Sequence, residues 1–197
     1  MYRENDPIGI PNIRNYKLSE TSDIFNDIYN SSYWKHGDGS GGNSQPHIVL
    51  DLFPILDEIF ETYDITTVAD LGCGSHYVFK DYKWPDYIQY TGYDASKLAI
   101  ERANNNCNRN DFTFVECHDF NEIPPCDFLL VKDVVCHWHV DLLNIFIDTI
   151  IPKFKYTAII GGVDITLTKK IEKDCTTNWF MKTGKDIDYG IWLFSNM

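Results

Sequence analysis

The chain has 197 residues, 44% of them hydrophobic, enough for one globular domain plus an extension. Its 17 Lys and Arg against 29 Asp and Glu leave a formal net charge of −12, which opposes broad binding to nucleic acid phosphates or an anionic membrane surface. The 6 Cys form no C-x-x-C pair; with no secretory signal and no apolar run of membrane length, a cytoplasmic protein with reduced thiols is expected.

In chain order, Met1–Lys17 reads as an irregular arm. Leu18–Tyr29 carries Leu18, Ile24, Phe25 and Ile28 at helical spacing, with Ser19 or Thr21 as its cap. Tyr33 and Trp34 then precede a Gly/Ser-rich loop, His36–Ser44. Ser44 is placed to cap the next helix, with Pro46 in its first turn and a kink at Pro54. The apolar stripe of that helix is Val49, Leu52, Phe53, Leu56, Ile59 and Phe60. Residues 1–45 are thus expected to form an arm and lid, and residues 46–197 the main domain.

The main domain alternates strands with helices. A short apolar run from Val68, read as a strand, ends in an acid, Asp70, and opens into Gly72-Cys73-Gly74. Such a turn lets the backbone approach a ligand closely. Tyr90–Asp94 is a second strand ending in an acid, 20 residues beyond Gly74, the reach of an acid that binds a ribose. Further strands are expected at Phe112–Cys117, Asp127–Asp133 and Tyr156–Val163, and helices at Ser96–Asn105 and Asp141–Ile151. The short apolar runs suit strands covered on both faces, and the alternation implies a doubly wound, mostly parallel α/β sheet. Tyr189–Phe194 reads as a last strand, and the tail looks too short for a full antiparallel pair. A dinucleotide is disfavoured, because Tyr77 stands where a third glycine would be, and no Walker A loop is present.

Asp70-Leu71-Gly72-Cys73-Gly74-Ser75 resembles motif I of the class I S-adenosylmethionine (SAM)-dependent methyltransferases. The resemblance implies a Rossmann-like methyltransferase fold with an N-terminal helical arm or lid, SAM as cofactor and S-adenosylhomocysteine (SAH) as product. It places Asp70, Gly72 and Gly74 around the methionine part of SAM and Asp94 on both ribose hydroxyls, with Ala95 adjoining. Asp119 then meets the adenine amino group, with Phe120 beside it. Lys132–Trp138 resembles motif IV, which faces the methyl acceptor; Lys132 would touch SAM through its backbone. Upstream, Ile28–Ser44 resembles the Tyr-Trp…Gly-Ser-Gly-x-x-Ser segment of small bacterial and viral methyltransferases that occur beside sugar-modifying and glycan-assembly enzymes. That likeness adds Trp34 and Ser44 to the cofactor pocket.

Methyl transfer from a sulfonium is an in-line displacement, and a sugar hydroxyl needs a base within hydrogen-bond reach. The candidates are Asp133, His137 and His139. His137 is the first choice because an imidazole titrates near neutrality; Asp133 would orient it or bind the acceptor. The Lys132 side chain is placed to attract an anionic acceptor such as a nucleotide-sugar, and Trp34, Tyr33 and Tyr77 to wall the site. Cys117-His118 and Cys136-His137-x-His139 gather possible metal ligands without zinc spacing, so no metal is expected. The expected acceptor is a small molecule, most simply a hydroxyl of a sugar, nucleotide-sugar or glycan. The competing readings are an amine or protein side chain as acceptor, a SAM-binding module without catalysis, and a nicotinamide-dependent oxidoreductase. The Asn-, Ile- and Tyr-rich composition suggests a viral source, hence a host cytoplasm.

Overall fold

The computed structural model describes residues 18–34, 41–138, 140–161, 175–182 and 188–196. The arm before residue 18, most of the Gly/Ser loop and His139 lie outside them.

Seven strands form one sheet in the order β3-β2-β1-β4-β5-β7-β6. They are β1 Thr67–Leu71, β2 Gln89–Asp94, β3 Thr113–Glu116, β4 Phe128–Lys132, β5 Tyr156–Gly161, β6 Thr177–Lys182 and β7 Asp188–Ser195. The first five pair in parallel, and the order reverses between β1 and β4, which opens a crevice at their carboxyl ends. β4 and β5 are buried at every residue, as continuous apolar runs between two covered faces should be. β3 is different: it is an edge strand and mostly exposed, so the expectation of cover on both faces fails there. The antiparallel pair is complete, because β7 inserts between β5 and β6. The chain is long enough for both.

Helix α1 (Leu18–Ser31) begins where the sequence places it; the expected cap at Ser19 or Thr21 falls outside the residues whose side chains are described. Helix α2 (Leu52–Thr62) starts later than expected, after two single turns at Gly42–Ser44 and Pro46–Ile48. Ser44 therefore does not cap it. Pro54 falls in its first turn, where an N–H has no helical acceptor to lose, and no kink is needed. Helix α3 (Lys97–Asn106) begins at Ser96, whose hydroxyl accepts the Ala99 amide at 3.1 Å. Helix α4 (Val140–Ile145) runs on as a wider turn over Phe146–Ile150.

Between β1 and β2 there is a single turn, Tyr77–Phe79, in place of a crossover helix. Aromatic side chains cover the sheet there instead. Phe53 of α2 stacks on Tyr82 at 4.8 Å, and Phe60 on Trp84 at 5.9 Å. On the other face Leu143 and Phe146 pack over Leu129, Val131 and Ile159. Helix α1 docks on the start of α3: Asn26 Oδ1 accepts the Ser96 hydroxyl at 2.7 Å and the Leu98 amide at 3.3 Å. Arg102 donates to the Tyr29 carbonyl at 3.2 Å. Since α3 starts where β2 ends, this docking sets helix α1 at the carboxyl end of the sheet.

Candidate functional site

The loop after β1 is built by left-handed residues. Gly72 has φ 74°, Gly74 φ 56° and His76 φ 57°. The Gly72 and Cys73 amides both donate to the Tyr93 carbonyl, at 2.7 and 3.1 Å, so the loop bends across the end of β2. A Cβ on Gly72 would lie 2.3 Å from Cγ2 of Val134, so glycine is required by space as well as by φ.

The structure brings the glycine loop and the second acid together. The Gly74 amide donates to Oδ2 of Asp94 at 3.0 Å, and the Ser96 amide to Oδ1 at 2.8 Å. Each oxygen keeps a second lone pair, so the carboxylate is oriented and can still accept two hydroxyl donors. Burial nevertheless pushes its pKa up to about 6, against the pull of those two amides. Asp70 is only 2% exposed, and one oxygen accepts the Tyr90 hydroxyl at 2.5 Å. Burial raises its carboxyl to about 7, offset in part by Tyr90 and Lys132. Two carboxyls at adjoining strand ends are therefore held where their charge is disfavoured. A cationic or hydroxyl-rich ligand would relieve both.

At the end of β4, Asp133 adopts φ 57°, a left-handed conformation that aspartate tolerates better than most residues. Its carboxylate lies where a Cβ on Gly161 would come within 2.8 Å of Oδ1. The Lys132 ammonium is not an open lure for an anionic acceptor, as the sequence suggested. Lys132 is 7% exposed, and its Nζ donates to Asp133 Oδ2 at 2.5 Å and to the Asn43 carbonyl at 3.2 Å. A buried ammonium needs such partners, and the neighbouring carboxylate supplies one. Lys132 thereby ties the Gly42–Ser44 turn, with half-buried Ser44, to the end of β4.

His137 sits in the single turn after β4, under the arm. Its ring stacks on Trp34, centroids 6.2 Å apart, and meets Phe25 edge-on at 6.0 Å. Burial lowers its pKa, with Asp133 opposing, so the imidazole is neutral and able to accept a proton near pH 7. His139, the third candidate base, lies outside the described residues.

Two expected adenine contacts fare differently. Asp119 is exposed after β3, and its Oδ1 accepts the Asn121 amide and side chain, both at 2.9 Å. Phe120 is 5% exposed and packs on Trp138 and Phe146 at 4.9 and 5.6 Å, so its ring is part of the core rather than an open wall. Ala95 is half-buried between Asp94 and Ser96. Among the described residues no three His, Cys, Asp or Glu side chains cluster as a metal site, and no helix is long and apolar enough to cross a membrane.

Sequence reasoning missed Tyr90, His76 and Asn26. Tyr90 had a signal: alternation puts it on the same face of β2 as Asp94, and a buried phenol needs a partner. Nothing in the sequence marked His76 or Asn26.

Residues 69–149 match the family model described as a methyltransferase domain. No curated protein matches the chain's sequence. Among solved structures, magnesium protoporphyrin IX methyltransferase (ChlM) from Synechocystis PCC 6803, with bound SAM, is similar with a TM-score of 0.65 and 15% identity, over 90% of this chain and 96% of that one. The N-methyltransferase NodS from Bradyrhizobium japonicum WM9 gives 0.60 and 12%, over 76% and 96%. The plantazolicin methyltransferase BpumL, in complex with SAH, gives 0.59 and 15%, over 92% and 95%. At these identities the likeness carries the fold: the protein has the Rossmann-like methyltransferase architecture.

Proposed function

We propose that the protein is a SAM-dependent methyltransferase acting on a small polar acceptor, most simply a sugar or nucleotide-sugar hydroxyl. Residues 46–197 form the catalytic domain, and the segment before them the lid. The observation that carries the reading is the Gly74–Asp94 hydrogen bond, which locks a glycine bend to a ribose-type acid at the switch point of the sheet. The residues fit the cofactor: Asp94 can take two ribose hydroxyls, and the buried Asp70 carboxyl favours a cationic neighbour. The methyltransferase-domain match over 69–149 supports the same chemistry.

When bound, SAM supplies an electrophilic methyl group on a sulfonium. The chain's own residues do the rest. Asp94 would hold the ribose hydroxyls and the glycine loop the methionine end, while Asp119 would meet the adenine amino group. His137, neutral and close to Asp133, would accept the proton of the acceptor hydroxyl, whose oxygen would take the methyl group from SAM and leave S-adenosylhomocysteine. Trp34, stacked on His137, shuts water out on that side. The hydroxyl reading rests on the likeness of Ile28–Ser44 to glycan-associated enzymes; the inward Lys132 no longer adds a preference for an anionic acceptor.

The test is binding, then turnover. SAM and SAH should raise the melting temperature of the protein by mass action. Asp94→Ala should weaken both ligands, by about a hundredfold if two charge-assisted hydrogen bonds are lost. No thermal shift at saturating SAM overturns the reading. A screen of sugars, nucleotide-sugars and amines with wild type and His137→Ala then assigns the acceptor: a hydroxyl substrate should lose turnover in the variant while SAM affinity stays.

A further inference from the structure

Behind the glycine loop runs a buried polar chain, His76–Tyr90–Asp70. Tyr90 is fully buried on β2, and its one hydroxyl proton goes to Asp70 Oδ2 at 2.5 Å. Nδ1 of His76 stands 3.2 Å from the same phenol oxygen. The phenolic proton is already committed to the carboxylate, so His76 must be the donor, which fixes its Nδ1–H tautomer. It can donate while neutral, and burial lowers its pKa to about 4. His76 is 3% exposed and closes the loop turn, its amide donating to the Cys73 carbonyl at 3.1 Å. Its ring lies against Trp84 and Phe114, at 6.4 and 5.1 Å. The phenol is thus held from behind by a residue of the loop itself. No donor among the described residues reaches the other oxygen of Asp70.

We propose that Tyr90 is a positioning residue of the cofactor pocket: it acts through Asp70, holding that carboxylate ionised and turned toward the cationic end of the methyl donor, with His76 fixing the phenol. This rests on the SAM reading. Asp70 is faced on β2 by Tyr90 and Asp94, on β4 by Lys132, and from the loop by Cys73. Burial and Asp94 favour the protonated acid; Tyr90 and Lys132 favour the anion. A cation beside Asp70 binds the anion, so cofactor binding expels the proton, and affinity rises with pH through the neutral range.

The decisive variant is Tyr90→Phe, which removes one oxygen from the core and keeps the ring. SAM affinity of wild type and variant is measured by calorimetry from pH 6 to 9. The variant profile should move to higher pH by about one unit, the size of one buried hydrogen bond, and be several-fold weaker at pH 7 while converging at pH 9. A loss by one constant factor at every pH, or overlaying profiles, overturns the proposal and leaves SAM binding standing. Carbon NMR of the Asp70 carboxyl in the free protein gives the independent readout. Its midpoint should rise in Tyr90→Phe, and an unmoved midpoint also overturns it. Wild type that binds no SAM at any pH removes the cofactor reading and this inference together.

Discussion

The indole of Trp34 lies over the imidazole of His137, with centroids 6.2 Å apart and planes 23° apart. One ring belongs to the turn after α1 and the other to the turn after β4, so this contact joins the end of α1 to the carboxyl end of β4. Phe25 meets Trp34 at a tilt, 6.3 Å away, and His137 edge-on at 6.0 Å. The lowered pKa of His137 comes first from burial, and the arm provides part of that cover.

Trp34→Ala should therefore raise the His137 pKa toward its ordinary value. The sign follows from the cause: removing the indole admits water, and water stabilises the imidazolium. Proton NMR titration of the imidazole reads the shift. Turnover at pH 7 should fall, because more of the base is protonated and the acceptor side is wet, while SAM affinity changes less. An unmoved His137 midpoint means the arm is not what keeps the ring dry.

Asp70→Asn should stabilise the free protein at pH 8 and weaken its cofactor binding. The folded pKa of Asp70, about 7, lies above its unfolded value of 3.8. The group's contribution is therefore fully present below about pH 4 and is lost as pH rises through 7; at pH 8 the buried anion costs on the order of 2–4 kcal/mol. Asparagine keeps an acceptor for the Tyr90 hydroxyl without the charge. The melting temperatures of variant and wild type should converge near pH 4 and part by several degrees at pH 8. Equal curves at both pH values contradict this account of the site. A gain in stability with a loss of affinity is the trade expected of a binding residue.

Gly72→Ala meets two obstacles at once. Its φ of 74° costs a residue with a Cβ about 1–2 kcal/mol, and that Cβ would lie 2.3 Å from Val134 Cγ2. The single variant should be clearly destabilised in denaturant unfolding. Adding Val134→Ala removes the clash and leaves the backbone strain, so the double variant should recover part of the loss beyond what Val134→Ala predicts alone. Simple additivity would show that the two residues do not compete for the same space.

The parts of this molecule legible in the sequence are those fixed by local pattern. Asp70-Leu71-Gly72-Cys73-Gly74 announces a strand and a tight bend because φ > 0 and the Val134 contact leave little choice of residue. The spacing of Asp94 follows from the length of one crossover. What was not legible depends on residues far apart in sequence. Tyr77 suggests no particular crossover, and only the packing of Phe79, Tyr82 and Trp84 against α2 shows why a helix is not needed there. Lys132 reads as a charge open to an anionic acceptor, yet the Asn43 carbonyl and Asp133 draw it inward. Pro54 reads as a kink only while the start of α2 is placed too early. Phe120 follows an acid at a strand end, and the core under α4 takes its ring.

Lys132→Met separates the structural from the chemical part of the acceptor side. Methionine nearly matches the volume of the lysine stem and removes the ammonium. Asp133 then loses the counter-charge 2.5 Å from its carboxylate, and Asp70 loses one of the two groups that favour its anion. Breaking one side of a buried pair leaves charge uncompensated, a loss of about 3–5 kcal/mol where burial is complete. The loss should grow with pH, because Asp70 is mostly neutral at pH 5 and mostly ionised at pH 8. Melting curves at those two values should therefore show a larger deficit at pH 8. The Asn43 carbonyl also loses its donor, so the Gly42–Ser44 turn should exchange its amide hydrogens faster than in wild type. A variant as stable as wild type at pH 8, with that turn equally protected, would show that the Lys132 charge holds neither the carboxylates nor the Gly42–Ser44 turn.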